Sequence, residues 1–335
     1  MKTINYPIIL WLCRILCGAI LIIALAACEK ESLTGLNESD LKVNIAGENP
    51  DANNSKKVVI KSEGMSFTAP EEIQSGWNTF RYENGTSNPH FFVIEKLPAG
   101  KTVEDSKAEV VPVFQEGMDL IEAGLDDEAL AVFFSLPAWY WEVVLQGGPG
   151  LVSPGTAAES TVYMTPGDYV IECYVKTGNG IFHSTIGMIE GIHVSEETSK
   201  IKEPESTLDI NISSTSGIQF KSDIRPGQHV VSVYFEDQVV HEHFLGHDVH
   251  LVKLSPEADI DALNAWMNWK DPDQFKTPAP EGVEFLGGMQ ELPAGETGYF
   301  TAILKPGTYA FISEVPDPMS KNMFKIFEVP QNQSN

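Results

Sequence analysis

The chain repeats itself, and the repeat governs what it can fold into. Thr165-Pro166-Gly167-Asp168-Tyr169, running on to Cys173, returns as Lys305-Pro306-Gly307-Thr308-Tyr309, running on to Ser313. Gly147-Gly148 ahead of the first stretch returns as Gly287-Gly288. Further upstream, Pro89-His90-Phe91-Phe92-Val93 through Leu97 is matched by Gly246-His247-Asp248-Val249-His250 through Leu254. Each half must therefore close a core of its own, so the architecture is to be read from one unit and applied twice.

That unit reads as β-structure. Short apolar runs at Val58–Ile60, Asn78–Tyr82, Phe91–Ile94 and Tyr169–Val175 alternate with proline and glycine punctuation, the pattern of strands joined by turns. The spacing predicts an all-β chain with units at 58–194 and 208–329, a polar linker at 195–207 and a tail at 330–335. Between the His strand and the Gly-Gly turn each unit carries a helical insertion. Ser255 and Pro256 supply a hydroxyl cap and a first-turn proline, with Ala262, Leu263, Trp266 and Trp269 at helical spacing. In the first unit Thr102 with Asp105 starts a longer insertion that ends in the aromatic run Phe133–Trp141. That run reads either as packing against its own unit or as a partner or ligand surface. The strand from Phe91 to Leu97 carries the chain roughly 20–25 Å from His90, so the insertion is expected to start far from any metal there.

The N-terminus reads as an export signal. Lys2 and Arg14 precede the apolar run Gly18–Ala27, the layout of a secretory signal peptide over 1–27. Leu25-Ala26-Ala27-Cys28 resembles a bacterial lipobox, which implies diacylglycerol on Cys28 and a mature chain that starts there. Glu29-Lys30-Glu31 resembles outer-membrane sorting, so a cell-envelope, outer-membrane location is expected, on either face. The polar stretch at 28–57 has almost no apolar periodicity and reads as a flexible tether.

Charge narrows the partners. Without residues 1–27 the chain keeps 20 basic against 47 acidic residues, a formal −27. Nucleic acid is not an expected partner of such a surface; the membrane, through the lipid, and a redox or envelope protein are. Cys13 and Cys17 leave with the signal and Cys28 is lipidated, so Cys173 is the one thiol left. It has no partner for an internal disulfide and must be buried, liganded or paired to another molecule.

Around Cys173 a set of metal-ligating side chains collects. Alternation puts Tyr169, Ile171, Cys173 and Val175 on the core face, with Glu172 and Tyr174 pointing the other way. A hairpin reversing at Gly178 would set Cys173 directly opposite His183, with Cβ atoms about 4.5–5.5 Å apart. Met188 follows shortly after, and His90 lies upstream. Thiolate, two imidazoles and a thioether suit copper that cycles between Cu(I) and Cu(II).

With Asn84, Pro89-His90, Pro166-Gly167-Asp168-Tyr169, Cys173, His183 and Gly187-Met188 in this order, the chain resembles the cupredoxin-like family over about 60–194, and its second unit extends the resemblance to 329. The resemblance implies two tandem Greek-key β-sandwiches, with possible copper held by His90, Cys173, His183 and Met188 for electron transfer or copper carriage. The nine residues between Cys173 and His183 are more than well-characterised blue copper proteins have. The other reading is a metal-free sandwich in which Cys173 is a small buried hydrophobe, serving as a binding or scaffold lipoprotein for envelope proteins or glycans.

The second unit has Ser313 for Cys173 and no histidine between Glu314 and Met323, so no type 1 copper is expected there. His241, His243, His247 and His250 cluster upstream of it as weaker metal candidates. No enzyme is expected: a multicopper oxidase needs repeated His-x-His pairs and His241-Glu242-His243 is the only one. Nucleophile elbows, phosphate loops and zinc-protease helices are absent from the sequence.

Overall fold

The computed structural model describes residues 57–331. The signal peptide, Cys28 and nearly all of the tether expected at 28–57 lie outside the described residues, as do 332–335. The described residues form one compact unit.

Two β-sandwiches follow one another. The first is built from β1 (Val58–Ser62), β2 (Phe67–Thr68), β3 (Glu72–Asn84), β4 (Val93–Lys96), β5 (Val144–Leu145), β6 (Ala157–Met164), β7 (Gly167–Glu172) and β8 (Ile189–Thr198). The second is built from β9 (Leu208–Ser213), β10 (Gly217–Phe220), β11 (Gly227–Phe235), β12 (Val249–Leu254), β13 (Val283–Met289), β14 (Thr297–Leu304), β15 (Gly307–Ile312) and β16 (Phe324–Val329). The two sets pair alike. β1 runs parallel to β3 and β9 to β11, while β7 is flanked by β4 and β8 as β15 is by β12 and β16.

Alternation explains the cores. Along β3 from Gly76 onward every second residue is buried, including Phe80 and Tyr82, and both pack edge-on against Phe92 ahead of β4. In the second sandwich Phe220 of β10 meets Phe311 of β15 and Phe327 of β16. The sandwiches are not separate beads, however. β14 of the second pairs antiparallel with β6 of the first, Tyr299 opposite Thr161 and Phe300 opposite Ser160, so one sheet runs through both.

The insertions differ in detail from their expected starts. In the first, α1 (Val103–Glu109) begins at the expected capping box, Thr102 and Asp105 satisfying each other's backbone N–H. In the second, α4 (Ile260–Trp266) is capped by Asp259, not Ser255. Ser255 Oγ accepts from Glu257 N–H at 3.2 Å in a turn that precedes the helix. The segment expected to link the units from residue 195 is strand as far as Thr198, held beside the start of β3.

Candidate metal centre

His90 is placed by its backbone. It exchanges two hydrogen bonds with Val152, at 3.2 and 2.7 Å, and Val152 also bridges to Leu286 of the second sandwich. Asn84 fixes the loop: its amide donates to Asn88 O and Val152 O, each at 2.8 Å.

Cys173 follows the end of β7 and His183 sits in the loop that leads to β8. The hairpin between them reverses one residue later than the sequence suggests. Thr177 N–H donates to Ile181 O and His183 N–H to Val175 O, so the centre is Asn179 rather than Gly178. Cys173 is thus not opposite His183; its N–H donates to Met188 O at 3.0 Å. The side chains still meet, because the chain turns helically at His183 into a short 3-10 turn, Ser184–Ile186, which swings the imidazole back over the thiol. Met188 N–H closes that turn on His183 O at 2.9 Å.

His90, Cys173 and His183 come together. The Sγ of Cys173 lies 3.7 Å from His90 Nδ1 and 3.6 Å from His183 Nδ1. All three side chains and Met188 are fully buried. A metal about 2.0–2.1 Å from nitrogen and 2.3 Å from sulfur would subtend roughly 110–119° at those separations, within the range of trigonal and tetrahedral sites. Burial pushes the Cys173 thiol up to about 12. It holds His90 down to about 4, and burial together with the His90 charge holds His183 at about 3. The rings are therefore neutral donors. One thiol proton can serve only one Nδ1, and both Nε2 atoms are buried without a partner. The residues fit a cation that takes both ring lone pairs and the thiolate together.

The second sandwich keeps the frame and lacks the donors. Ser313 N–H donates to Met323 O at 3.0 Å, as Cys173 does to Met188, and Met323 N–H closes on Pro318 O at 2.8 Å, as Met188 does on His183. Pro318 therefore stands where His183 stands. His247, the counterpart of His90, turns to His241, with Nε2 atoms 3.1 Å apart.

His250 is parted from that pair and lies in a group the sequence did not flag, with Asp248 and Glu314. Leu151 N–H donates to His250 Nδ1 at 2.9 Å, which leaves the proton of the neutral ring on Nε2, facing Asp248 Oδ2. Asp248 Oδ1 accepts from Ser313 Oγ and from Glu314 N–H, and Tyr174 donates its hydroxyl to Glu314. With Nε2 occupied by a proton, this group reads as a buried hydrogen-bond network rather than a ligand set.

No protein-family model and no curated protein matches the chain. Solved structures do. A reduced auracyanin from the photosynthetic bacterium Roseiflexus castenholzii is 23% identical over 42% of this chain and 98% of its own, with a TM-score of 0.26. A copper-containing nitrite reductase from Thermus scotoductus is 13% identical over 83% of this chain and 62% of its own, at 0.21. The copper nitrite reductase from Nitrosomonas europaea is 11% identical over 84% and 95%, also at 0.21. The fold class rests on the paired strands above: two tandem β-sandwiches that pair their strands alike, the first with a His–Cys–His group that could hold a metal ion.

Proposed function

We propose that His90, Cys173 and His183 would hold one copper ion, with the Met188 thioether as a further, weaker donor, and that the protein is an electron carrier or copper carrier tethered to the cell envelope by lipid on Cys28. The observation that carries this is the aim of two neutral Nδ1 atoms at one buried Sγ. Soft sulfur with imidazole favours copper over the harder divalent ions. The bound ion would supply one-electron chemistry with no bond made on a substrate. The chain's own part is to exclude water from the donors and to hold them through Val152, the 3-10 turn and the Cys173–Met188 backbone bond.

Adding Cu(II) to the metal-free protein should give one bound copper per chain and an intense thiolate-to-metal absorption, both lost in Cys173→Ser. If no stoichiometric copper is taken up, the proposal fails and the metal-free binding or scaffold reading stands in its place. The tether is tested separately: cells fed labelled palmitate should incorporate label into the wild-type protein and not into Cys28→Ala.

A further inference from the structure

The opposite face of the Cys173 strand borders a cavity that the metal group does not use. Val93 and Glu95 of β4, Glu172 of β7 and Tyr174 line it, with Glu172 directly opposite Val93 across the strands. Tyr140 of the first insertion, Trp269 beyond α4, Glu291 and three phenylalanines complete the wall of about 80 Å³. That space holds roughly five to eight waters.

Its chemistry is lopsided. Three carboxylates face it and no lysine or arginine lines it. Glu95 is 8% exposed, and among the described residues no group hydrogen-bonds its carboxylate. Glu291 accepts from Gly246 N–H. Burial and the charges of Glu172 and Glu291 hold Glu95 well above the ordinary carboxylate range; burial, with Asp248 nearby, holds Glu291 at about 8. A cation in the cavity would relieve that. Among the described residues Glu95, Glu172 and Glu291 do not form a group whose oxygens converge within 4.8 Å, as chelation of a bare metal ion by all three requires. Aromatic faces with acids between them suit instead a cation that is itself apolar on its surface.

We propose that this cavity binds a small organic ammonium ion, the aromatic rings packing against its carbons and Glu95 with Glu291 balancing its charge. The site is independent of the proposed copper and stands or falls without it. Its size fits a ligand of roughly five to seven non-hydrogen atoms.

The test titrates tetramethylammonium chloride into the purified full-length protein, with uncharged tert-butanol as the shape match, followed by calorimetry and tryptophan fluorescence. One tetramethylammonium per chain should bind saturably and tert-butanol should not. Glu95→Gln should weaken binding about tenfold or more, and Glu291→Gln, whose amide oxygen can keep the Gly246 bond, should also weaken it. Should Glu95→Gln not fold, the wild-type comparison and Glu291→Gln decide. Absence of saturable binding, equal binding of tert-butanol, or unchanged affinity in the folded variants overturns the proposal.

Discussion

Glu291 sits among acids, buried, with its pKa raised from 4.5 to about 8, first by burial and then by Asp248. The sign follows from proton counts. Between those values the folded chain binds more protons at this group than the unfolded chain does, so stability falls as pH rises from about 4.5 to about 8. Glu291→Gln should remove that fall and gain a few kcal/mol at pH 8 relative to pH 5, read by urea unfolding at both. Gly187 makes a different demand. Its φ is +126°, and a Cβ would lie 2.7 Å from Met65 O. Gly187→Ala should therefore cost about 2–3 kcal/mol in the same unfolding measurement and displace the neighbouring Met188. The trio His90, Cys173 and His183 was legible at this scale because side-chain type and order survive in the text. The acids were not. In a chain with 47 acidic residues nothing marks Glu95, Asp248 or Glu291, and only the packing of two sandwiches removes them from water.

At the scale of elements, α1 is the plainest success of sequence reading, since a capping box is a local code. Thr102→Ala should cost about 1 kcal/mol in unfolding and leave metal uptake unchanged. The hairpin after Cys173 was harder. Glycines at 178 and 180 permit more than one reversal, and what selects Asn179 lies elsewhere: Gln115 Oε1 of α2 (Val111–Glu122) accepts from Phe182 N–H at 2.9 Å. The insertion that starts remote from His90 thus returns to the loop of His183. Lys176 pins the same hairpin from the other side. Its buried Nζ donates to Trp269 O and Asp271 O at 2.8 and 2.7 Å. Lys176→Met would leave both carbonyls without that donor, and should cost about 1–3 kcal/mol and speed amide exchange over residues 181–187.

For the whole molecule, the repeat disclosed two like sandwiches but not their fusion. Strand alternation encodes which face of β6 and β14 is buried, whereas the pairing of Tyr299 with Thr161 joins edges that each repeat could equally have left to solvent. The join, with the acids and aromatics enclosed between the halves, makes neither half's surface complete alone. Heating should give one transition whose calorimetric and van't Hoff enthalpies agree, despite a length at which two domains often melt apart.

The Lys176 clamp bears on how the centre would be filled. The hairpin that carries His183 is held down by carbonyls at the end of the neighbouring sandwich's insertion, and both imidazole rings are wholly covered. Neither ring nor the thiol meets solvent in the closed molecule. Loading would be a matter of timing: early, while the last-made segment of the chain has yet to dock, or late, at the pace with which that segment lifts.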